Sequence, residues 1–290
     1  MKKIILPLLL AGIAAGSMWF AQAADTEAKP LRILLVAGGC CHDYEQQQMI
    51  LKEGIESRIN AVVDIAYNPD TTTEATFEIY KSEDWAKDFD VILHDECSAN
   101  VTDRAYVKRI LDAHRSGTPA VNLHCAMHSY RWDNFKEPVA AGADNAGWYE
   151  YIGIQSTGHG PKEPMDIAYT DKEHPISKGM EDWTTLPEEL YNNIQVFPTA
   201  HALASAKQIQ LPKLKKGEKR AADAKGTEAE AVVAWTNEYG EKKTKVFSTT
   251  IGHFNETVAD ARYLELVTRG LLWVTGHLNA DGSAAAGYGK

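Results

Sequence analysis

Residues 32–37 (RILLVA) form an apolar run of strand length that ends in Gly38-Gly39. A strand with one solvated face alternates apolar and polar residues, whereas an unbroken apolar run is typical of a parallel strand buried on both faces. Three further segments are predicted as strands, namely 62–67, 90–93 and 120–123. The first half of the chain therefore predicts a buried parallel sheet.

Helical periodicity separates these strands. Residues 45–59 place apolar side chains three and four positions apart, and a second helix is predicted from a cap at Thr102 or Asp103 to His114. Strands that alternate with helices predict an α/β fold with a doubly wound, flavodoxin-like, mostly parallel sheet and flanking helices.

The second half has shorter elements. Strands are predicted over 149–154, 165–169, 232–236 and 245–250, and the last two flank a turn with Gly240, which favours a hairpin. A closing helix is predicted over 262–276. We expect one domain over 31–279, with an N-terminal linker at 24–30, a surface loop at 205–231 and a flexible tail at 280–290.

The N-terminus has the pattern of a secretory signal peptide. Lys2 and Lys3 precede an apolar run to about Phe20, and Ala21-Gln22-Ala23 is a small-x-small cleavage site. We expect cleavage near Ala23 and a periplasmic or secreted protein without stable membrane insertion. The remaining chain is long enough to bury its own core.

The charge of the chain limits its partners. The formal net charge is −10, and removing the two N-terminal lysines makes it −12. Phosphate contacts need clustered Lys and Arg, so an acidic chain of this kind is a poor nucleic-acid binder. The composition favours a small-molecule ligand and leaves the oligomeric state open.

Reactive side chains follow three of the predicted strands. The segments at these three strand ends are GGCCHDY (38–44), HDEC (94–97) and HCAMH (124–128). The carboxyl ends of parallel strands open into one crevice, where ligands bind, so these side chains are predicted to share a site. The four cysteines there allow three disulfide pairings, and the sequence does not choose among them.

Several short motifs resemble one protein family from about Arg32 to about His277. They are GGxxHDY at 38–44, the strand ending in His124, YIG at 151–153, GHGP at 158–161, HPI at 174–176 with Gly179, EELY at 188–191, VAW at 233–235 and TTIGH at 249–253. In this order they resemble the ThuA-like, trehalose-utilisation family, whose fold is similar to class I glutamine amidotransferases. The resemblance implies that fold and a link to sugar catabolism.

The amidotransferase likeness raises an alternative built on cysteine. Cys125 falls near the turn that holds the amidotransferase nucleophile, and His253 stands where its histidine falls. A Cys125–His253 dyad is therefore conceivable, since a thiolate needs a nearby base. The flanking residues of Cys125 are not the glycines of the amidotransferase turn, which argues against it.

The histidines also suit a metal. His124 and His128 are four residues apart, so in a helix both rings would point from one face. With His42 or His253 as a third ligand, they predict a site for a divalent metal, with zinc as the first candidate. We take His42, His124 and His128 as candidate ligands; the alternative is an acid–base set in which only His124 faces the crevice.

Three residues beyond the strand ends are candidates for acid–base work. His159 lies between two glycines, where the backbone can bring it close to a ligand. Glu189 and Tyr191 are two apart, so on a strand they share a face and could bind sugar hydroxyls or transfer protons. His124, His253, His159 and Glu189 are the predicted catalytic residues.

Substrate binding is predicted for Tyr191, Arg131, Trp148 and Asp43. Aromatic rings are platforms for the apolar faces of sugars, and a guanidinium can hold a hydroxyl or carboxylate. Asp43 could equally cap the following helix. We expect an exported protein that acts on a sugar or keto-sugar by hydrolysis, elimination or isomerisation. A cysteine hydrolase or a non-catalytic carbohydrate-binding protein are the alternatives.

Overall fold

The computed structural model describes residues 28–212, 217, 221 and 224–290. The strands are β1 (Leu31–Gly39), β2 (Ala61–Asn68), β3 (Val91–Cys97), β4 (Ala120–Leu123), β5 (Ile154–Glu163), β6 (Asp166–Tyr169), β7 (Trp183–Thr184), β8 (Glu188–Val196), β9 (Ala200–Gln210), β10 (Thr227–Tyr239) and β11 (Thr244–Thr249). The helices are α1 (Tyr44–Glu56), α2 (Arg104–Arg115), α3 (Gly147–Ile152), α4 (Asn255–Val258) and α5 (Ala261–Val274). Short 3₁₀ helices span Glu78–Lys81, His124–His128 and Asp144–Ala146.

The main sheet has the strand order β2-β1-β3-β4-β11-β10-β9-β6-β7. Its first five strands are parallel, and its remaining pairs are antiparallel. β5 and β8 pair separately as an antiparallel ribbon. The fold is therefore α/β, as predicted. The predicted parallel strands form one half of a larger mixed sheet.

The apolar run of β1 is buried on both sides. Ile33, Leu35 and Ala37 belong to the core on the side of α1 and α5. Leu34 and Val36 belong to the opposite core, which contains residues of α2 and α3. Because alternate side chains enter two different cores, neither face of the strand can be polar.

Two predicted local features are confirmed with small shifts. β10 and β11 form the expected antiparallel hairpin, with Gly240 in the turn at a φ of +67°. Asp103 caps α2 by accepting hydrogen bonds from the amides of Ala105 and Tyr106. β3 is longer than predicted, because it continues through the buried polar segment 94–97.

The strand predicted over 149–154 is wrong. These residues form most of α3, which buries Trp148, Tyr149, Tyr151 and Ile152. Aromatic residues favour strands on propensity, but here the tertiary packing of their side chains selects a short helix. Gly153 ends it with a φ of +92°.

Two of the predicted irregular segments are also shorter or more ordered than expected. β9 runs to Gln210 and β10 starts at Thr227, so the strands take up both ends of the loop predicted over 205–231. The tail predicted as flexible over 280–290 packs back on the domain, where the amide of Asn60 donates to the carbonyl of Tyr288 at 2.8 Å. Gly289 forms a β-bridge with Ile59.

The predicted signal peptide at 1–23 lies outside the described residues, as does most of the linker at 24–30. Among the residues that are described, none of the helices has the length and apolar character needed to cross a bilayer.

Candidate functional site

The carboxyl ends of the parallel strands meet at one edge of the main sheet. His42 follows β1, His124 follows β4, and His253 follows β11. The strands themselves are neighbours, since β4 pairs with both β3 and β11, and β1 pairs with β3. The fold therefore brings together three histidines that are far apart in the sequence.

These three histidines, which we call the histidine trio, are in mutual contact. The ring centroids of His42 lie 4.7 Å from His124 and 4.6 Å from His253. One ring nitrogen from each residue lies within 4.8 Å of the others, an arrangement that could hold a metal ion. The trio is the centre of the candidate site.

Backbone carbonyls fix two rings of the trio, those of His124 and His42. Nδ1 of His124 donates a hydrogen bond to the carbonyl of Thr250 at 2.5 Å, and Nδ1 of His42 donates to the carbonyl of His253 at 3.2 Å. Each Nδ1 therefore carries the proton, and in the neutral ring Nε2 has a free lone pair. Metal-binding histidines are commonly oriented in this way.

The inward-facing nitrogens of the trio are buried and have no hydrogen-bond partner among the described residues. They are Nε2 of His42, Nε2 of His124 and Nδ1 of His253. Buried polar atoms are nearly always hydrogen-bonded, so three unpaired nitrogens around one point indicate a ligand-binding position.

Burial affects the charge of two of these rings, those of His42 and His124. It lowers the pKa of His42 and also that of His124, although Glu189 opposes the shift in His124. Both rings are therefore neutral at neutral pH, and neutral imidazole is the form that binds metals.

Glu189 of β8 lies beside the trio. Its carboxylate is 3.5 Å from Nε2 of His124 and 3.3 Å from Nδ1 of His253, and neither contact has hydrogen-bond geometry. Burial raises the pKa of Glu189, but the imidazoles around it lower that pKa by more, so the net direction is downward. The site thus combines three imidazoles with one carboxylate.

The β5–β8 ribbon completes the site. Its register places His159 opposite Tyr191 and Lys162 opposite Glu189. Nδ1 of His159 lies 3.5 Å from Glu189, and the ammonium of Lys162 lies 3.8 Å from it. The ribbon therefore supplies one wall of a cleft of about 320 Å³, whose lining includes Glu189, His159, Tyr191, His42 and His253.

The backbone is held in an unusual conformation at two points of the site. Cys41 has a φ of +85° and His124 has a φ of +39°. Residues other than glycine incur an energetic penalty in this region, and such positions cluster at functional sites. In both cases the unusual conformation falls just after a strand, at or next to a histidine of the trio.

All four predicted catalytic residues come together. His253, His159 and Glu189 line the cleft, and His124 lies beneath them against Glu189. Of the residues predicted to bind substrate, Tyr191 and Arg131 also line the cleft.

His128 is not part of the metal-ligand group, contrary to the prediction. Segment His124–His128 is a 3₁₀ helix with about three residues per turn, so residues four apart do not share a face. Nε2 of His128 instead hydrogen-bonds to the hydroxyl of Ser156 at 2.9 Å. His253, weighed in the sequence as an alternative third ligand, lies with His42 and His124.

Trp148 and Asp43 also differ from their predicted roles in substrate binding. Trp148 is 1% exposed in the core, and its Nε1 donates to the carbonyl of Ala126 at 2.9 Å. Asp43 caps α1 by accepting from the amide of Gln46, and it also accepts from the side chain of Asn255. The alternative role weighed for Asp43, a helix cap, is the one that the structure has.

The geometry does not favour the Cys125–His253 dyad. The thiol of Cys125 is buried and donates to the sulfur of Cys97 at 2.9 Å. This hydrogen bond, together with burial, raises the pKa of Cys125 well above its ordinary value. A nucleophilic cysteine needs the opposite shift.

Three residues of the site were missed in the sequence. Lys162 is identified only by the β5–β8 register. The amide of His253 donates to the buried carboxylate of Glu188 at 3.0 Å, and Gln47 donates to the carbonyl of His253 at 3.2 Å. Gln47 and Glu188 therefore position His253. The only sequence signal for Glu188 is that it is adjacent to Glu189.

The fold and the site together define a doubly wound α/β protein with a histidine-rich centre at the strand ends. The family described as ThuA, trehalose utilisation, matches residues 32–274. The chain therefore belongs to the ThuA family.

Solved structures agree on the fold. A ThuA-like protein from Parabacteroides merdae is 19% identical, covering 87% of this chain and 92% of its own, with a TM-score of 0.60. A ThuA-like protein from Bacteroides uniformis is 16% identical, covering 87% and 94%, with a TM-score of 0.57. No curated protein matches the chain in sequence.

Proposed function

We propose that the protein is an exported, metal-assisted acid–base enzyme that acts on a sugar or keto-sugar. The observation that carries the proposal is the set of three unpaired, buried ring nitrogens in the histidine trio. A trio with a purely structural role would be expected to satisfy these atoms within the protein.

The donor set suits a divalent cation of borderline character, with zinc as the first candidate. His42, His124 and His253 would be its ligands, with Glu189 beside them as a carboxylate partner. A bound cation of this kind polarises a carbonyl oxygen or lowers the pKa of a bound water.

His159 is the proposed proton carrier at the mouth of the cleft. Its Nδ1 donates to the carbonyl of Gly160 at 2.8 Å, so Nε2 has a lone pair that can accept a proton. Its side chain is 41% exposed, which leaves room for a substrate, and its Nδ1 lies 3.5 Å from the carboxylate of Glu189. His159 would remove a proton from the carbon next to a sugar carbonyl or return one.

The cleft has the size and lining for a small polar ligand. Its volume of about 320 Å³ lies at the low end of the range for small-molecule sites. Arg131 and Lys162 offer donors for hydroxyl or carbonyl oxygens, and the ring of Tyr191 offers an apolar surface. The description of the family as one of trehalose utilisation supports a carbohydrate.

The metal is tested by elemental analysis of purified full-length protein. We expect about one divalent cation per chain in the native protein and its loss in His124→Ala. His201→Ala is the matched control, because His201 is an exposed histidine that pairs with Asp171 on another part of the surface. Full metal content in His124→Ala would contradict the metal site.

The reaction is tested with disaccharides and their keto forms. We expect a chelator to abolish turnover of a keto-sugar and His159→Gln to lower kcat while the metal content stays unchanged. Turnover that persists in the presence of the chelator would show that the reaction does not require a metal. A sugar that raises the Tm without forming product would favour the non-catalytic carbohydrate-binding alternative.

A further inference from the structure

All four cysteines line the cleft, and each sulfur is close to the next. Cys40 and Cys41 form a disulfide between neighbouring residues. The Sγ of Cys97 lies 3.3 Å from that of Cys40, and the Sγ of Cys125 lies 2.9 Å from that of Cys97. Cys97 and Cys125 are free thiols, and the proposed sugar chemistry uses none of the four.

The sheet places Cys97 against the disulfide. β1 and β3 are adjacent parallel strands whose register puts Gly39 opposite Cys97, and the amide of Cys40 donates to the carbonyl of Cys97 at 3.2 Å. From the other side Cys125 hydrogen-bonds to Cys97 and holds its sulfur in place. Cys40 therefore has two neighbouring sulfurs with which it can be bonded.

We propose that these four residues form a thiol–disulfide exchange site that reacts with small-molecule disulfides through Cys41. In the first step the Cys97 thiolate attacks the Sγ of Cys40. The Cys40–Cys97 bond forms as the Cys40–Cys41 bond breaks, and Cys41 leaves as a thiolate. The number of disulfides is unchanged, so this step needs no oxidant, and the proton lost by Cys97 balances the one that Cys41 can take up.

Exposure makes Cys41 the entry point. Cys40, Cys97 and Cys125 are buried, with exposures of 8%, 2% and 6%, whereas Cys41 is exposed at the mouth of the cleft. Once released, the Cys41 thiolate attacks one sulfur of a small disulfide. A mixed disulfide with Cys41 forms, and the other half of the small molecule leaves as a thiolate.

Peptide mapping can follow each sulfur, because trypsin separates the cysteines into three peptides. Residues 33–52 contain Cys40 and Cys41, residues 88–104 contain Cys97, and residues 116–131 contain Cys125. Native protein would be incubated with glutathione disulfide, quenched with N-ethylmaleimide and digested without reductant. We expect peptide 33–52 linked to peptide 88–104, with one glutathionyl group on Cys41.

Two variants isolate the first step. Cys97→Ser should keep the Cys40–Cys41 disulfide and lose both the cross-linked peptide and the glutathionyl group. Cys125→Ser, the matched thiol control, should still form the cross-link. Equal glutathionylation of Cys41 in Cys97→Ser and in the native protein would overturn the proposal.

A third variant guards against a folding defect in Cys97→Ser. Cys41→Ser changes an exposed side chain and removes the competing disulfide. When this variant is incubated with glutathione disulfide as the oxidant, Cys40 and Cys97 should form a disulfide with each other and release two molecules of glutathione. Absence of the 33–52 to 88–104 cross-link in that variant would also overturn the proposal. None of these measurements requires a metal or a sugar, so they are independent of the proposed enzyme activity.

Discussion

The imidazole of His128 lies flat on the ring of Tyr191, with ring centroids 4.1 Å apart and an interplanar angle of 1°. Tyr191 is also 4.9 Å from the ring of His124. His128 therefore supports the cleft through Tyr191, while the histidines that could hold a metal ion are His42, His124 and His253.

This arrangement predicts that the metal site tolerates the loss of His128. In His128→Phe the stacking surface remains and the hydrogen bond to Ser156 is lost, so we expect a stability decrease of about 1 kcal/mol. Metal content should stay at the native level, in contrast to His124→Ala. Elemental analysis measures the metal content, and urea denaturation measures the stability. Loss of metal in His128→Phe would indicate that His128 is a metal ligand, contrary to this prediction.

Trp148 is predicted to affect stability and not ligand binding. Trp148→Phe removes the hydrogen bond to the carbonyl of Ala126 and leaves a gap in the core, so we expect a loss of about 1 to 3 kcal/mol in the free energy of unfolding. The metal content and the KM for any identified substrate should not change. A raised KM at unchanged stability would place Trp148 in the substrate site after all.

We predict that replacing Gly39 strongly destabilises the protein, because Gly39 of β1 lies directly against Cys97 of β3. It has a φ of +94°, and a Cβ at this position would lie 2.2 Å from the carbonyl oxygen of Cys97. We expect Gly39→Ala to cost more than about 3 kcal/mol, since it combines a disfavoured backbone conformation with a clash.

Gly142→Ala is the matched control for this prediction. Gly142 has a φ of +75°, and a Cβ added there would meet no atom of the described residues within 4 Å, so only the backbone penalty of about 1 kcal/mol applies. Urea denaturation of both variants gives the difference. Equal losses in the free energy of unfolding for the two substitutions would contradict the prediction. They would mean that the backbone around Gly39 and Cys97 shifts to accommodate the added Cβ.

His114 is predicted to make the protein less stable in acid. Burial, and next the charge of His94, lower the pKa of His114 to about 3. Between the ordinary pKa of about 6.5 and this value the unfolded chain binds a proton that the folded chain does not. The free energy of unfolding should therefore fall as the pH falls through this window, by on the order of 4 kcal/mol.

The contribution of His114 is measured by comparing the pH dependence of unfolding in His114→Gln and in the native protein. We expect a shallower slope between pH 6.5 and 3 in the variant, even though its stability at neutral pH is lower. Identical slopes would show that His114 has the same pKa in the folded and the unfolded chain, which would contradict the prediction.

The sequence by itself determined the parallel half of the sheet and the edge at which the site lies. Burial on two faces favours apolar residues, so β1 and β4 are visible as local patterns, and the residues after them must share an edge. His42 and His124 are therefore predictable, and the short motifs indicated the family. Local patterns were misleading for α3, where aromatic residues with strand propensity form a helix.

Only the tertiary structure decided which side chains meet at that edge. Glu189 and His159 join the site through the pairing of β5 with β8, and His128 lies outside the histidine trio because the turn after β4 is a 3₁₀ helix. The contact of Cys97 with Cys40 likewise depends on the register of β1 and β3. The physical reason is that periodicity records only whether a residue is buried, whereas contacts between distant segments are set by strand register and packing.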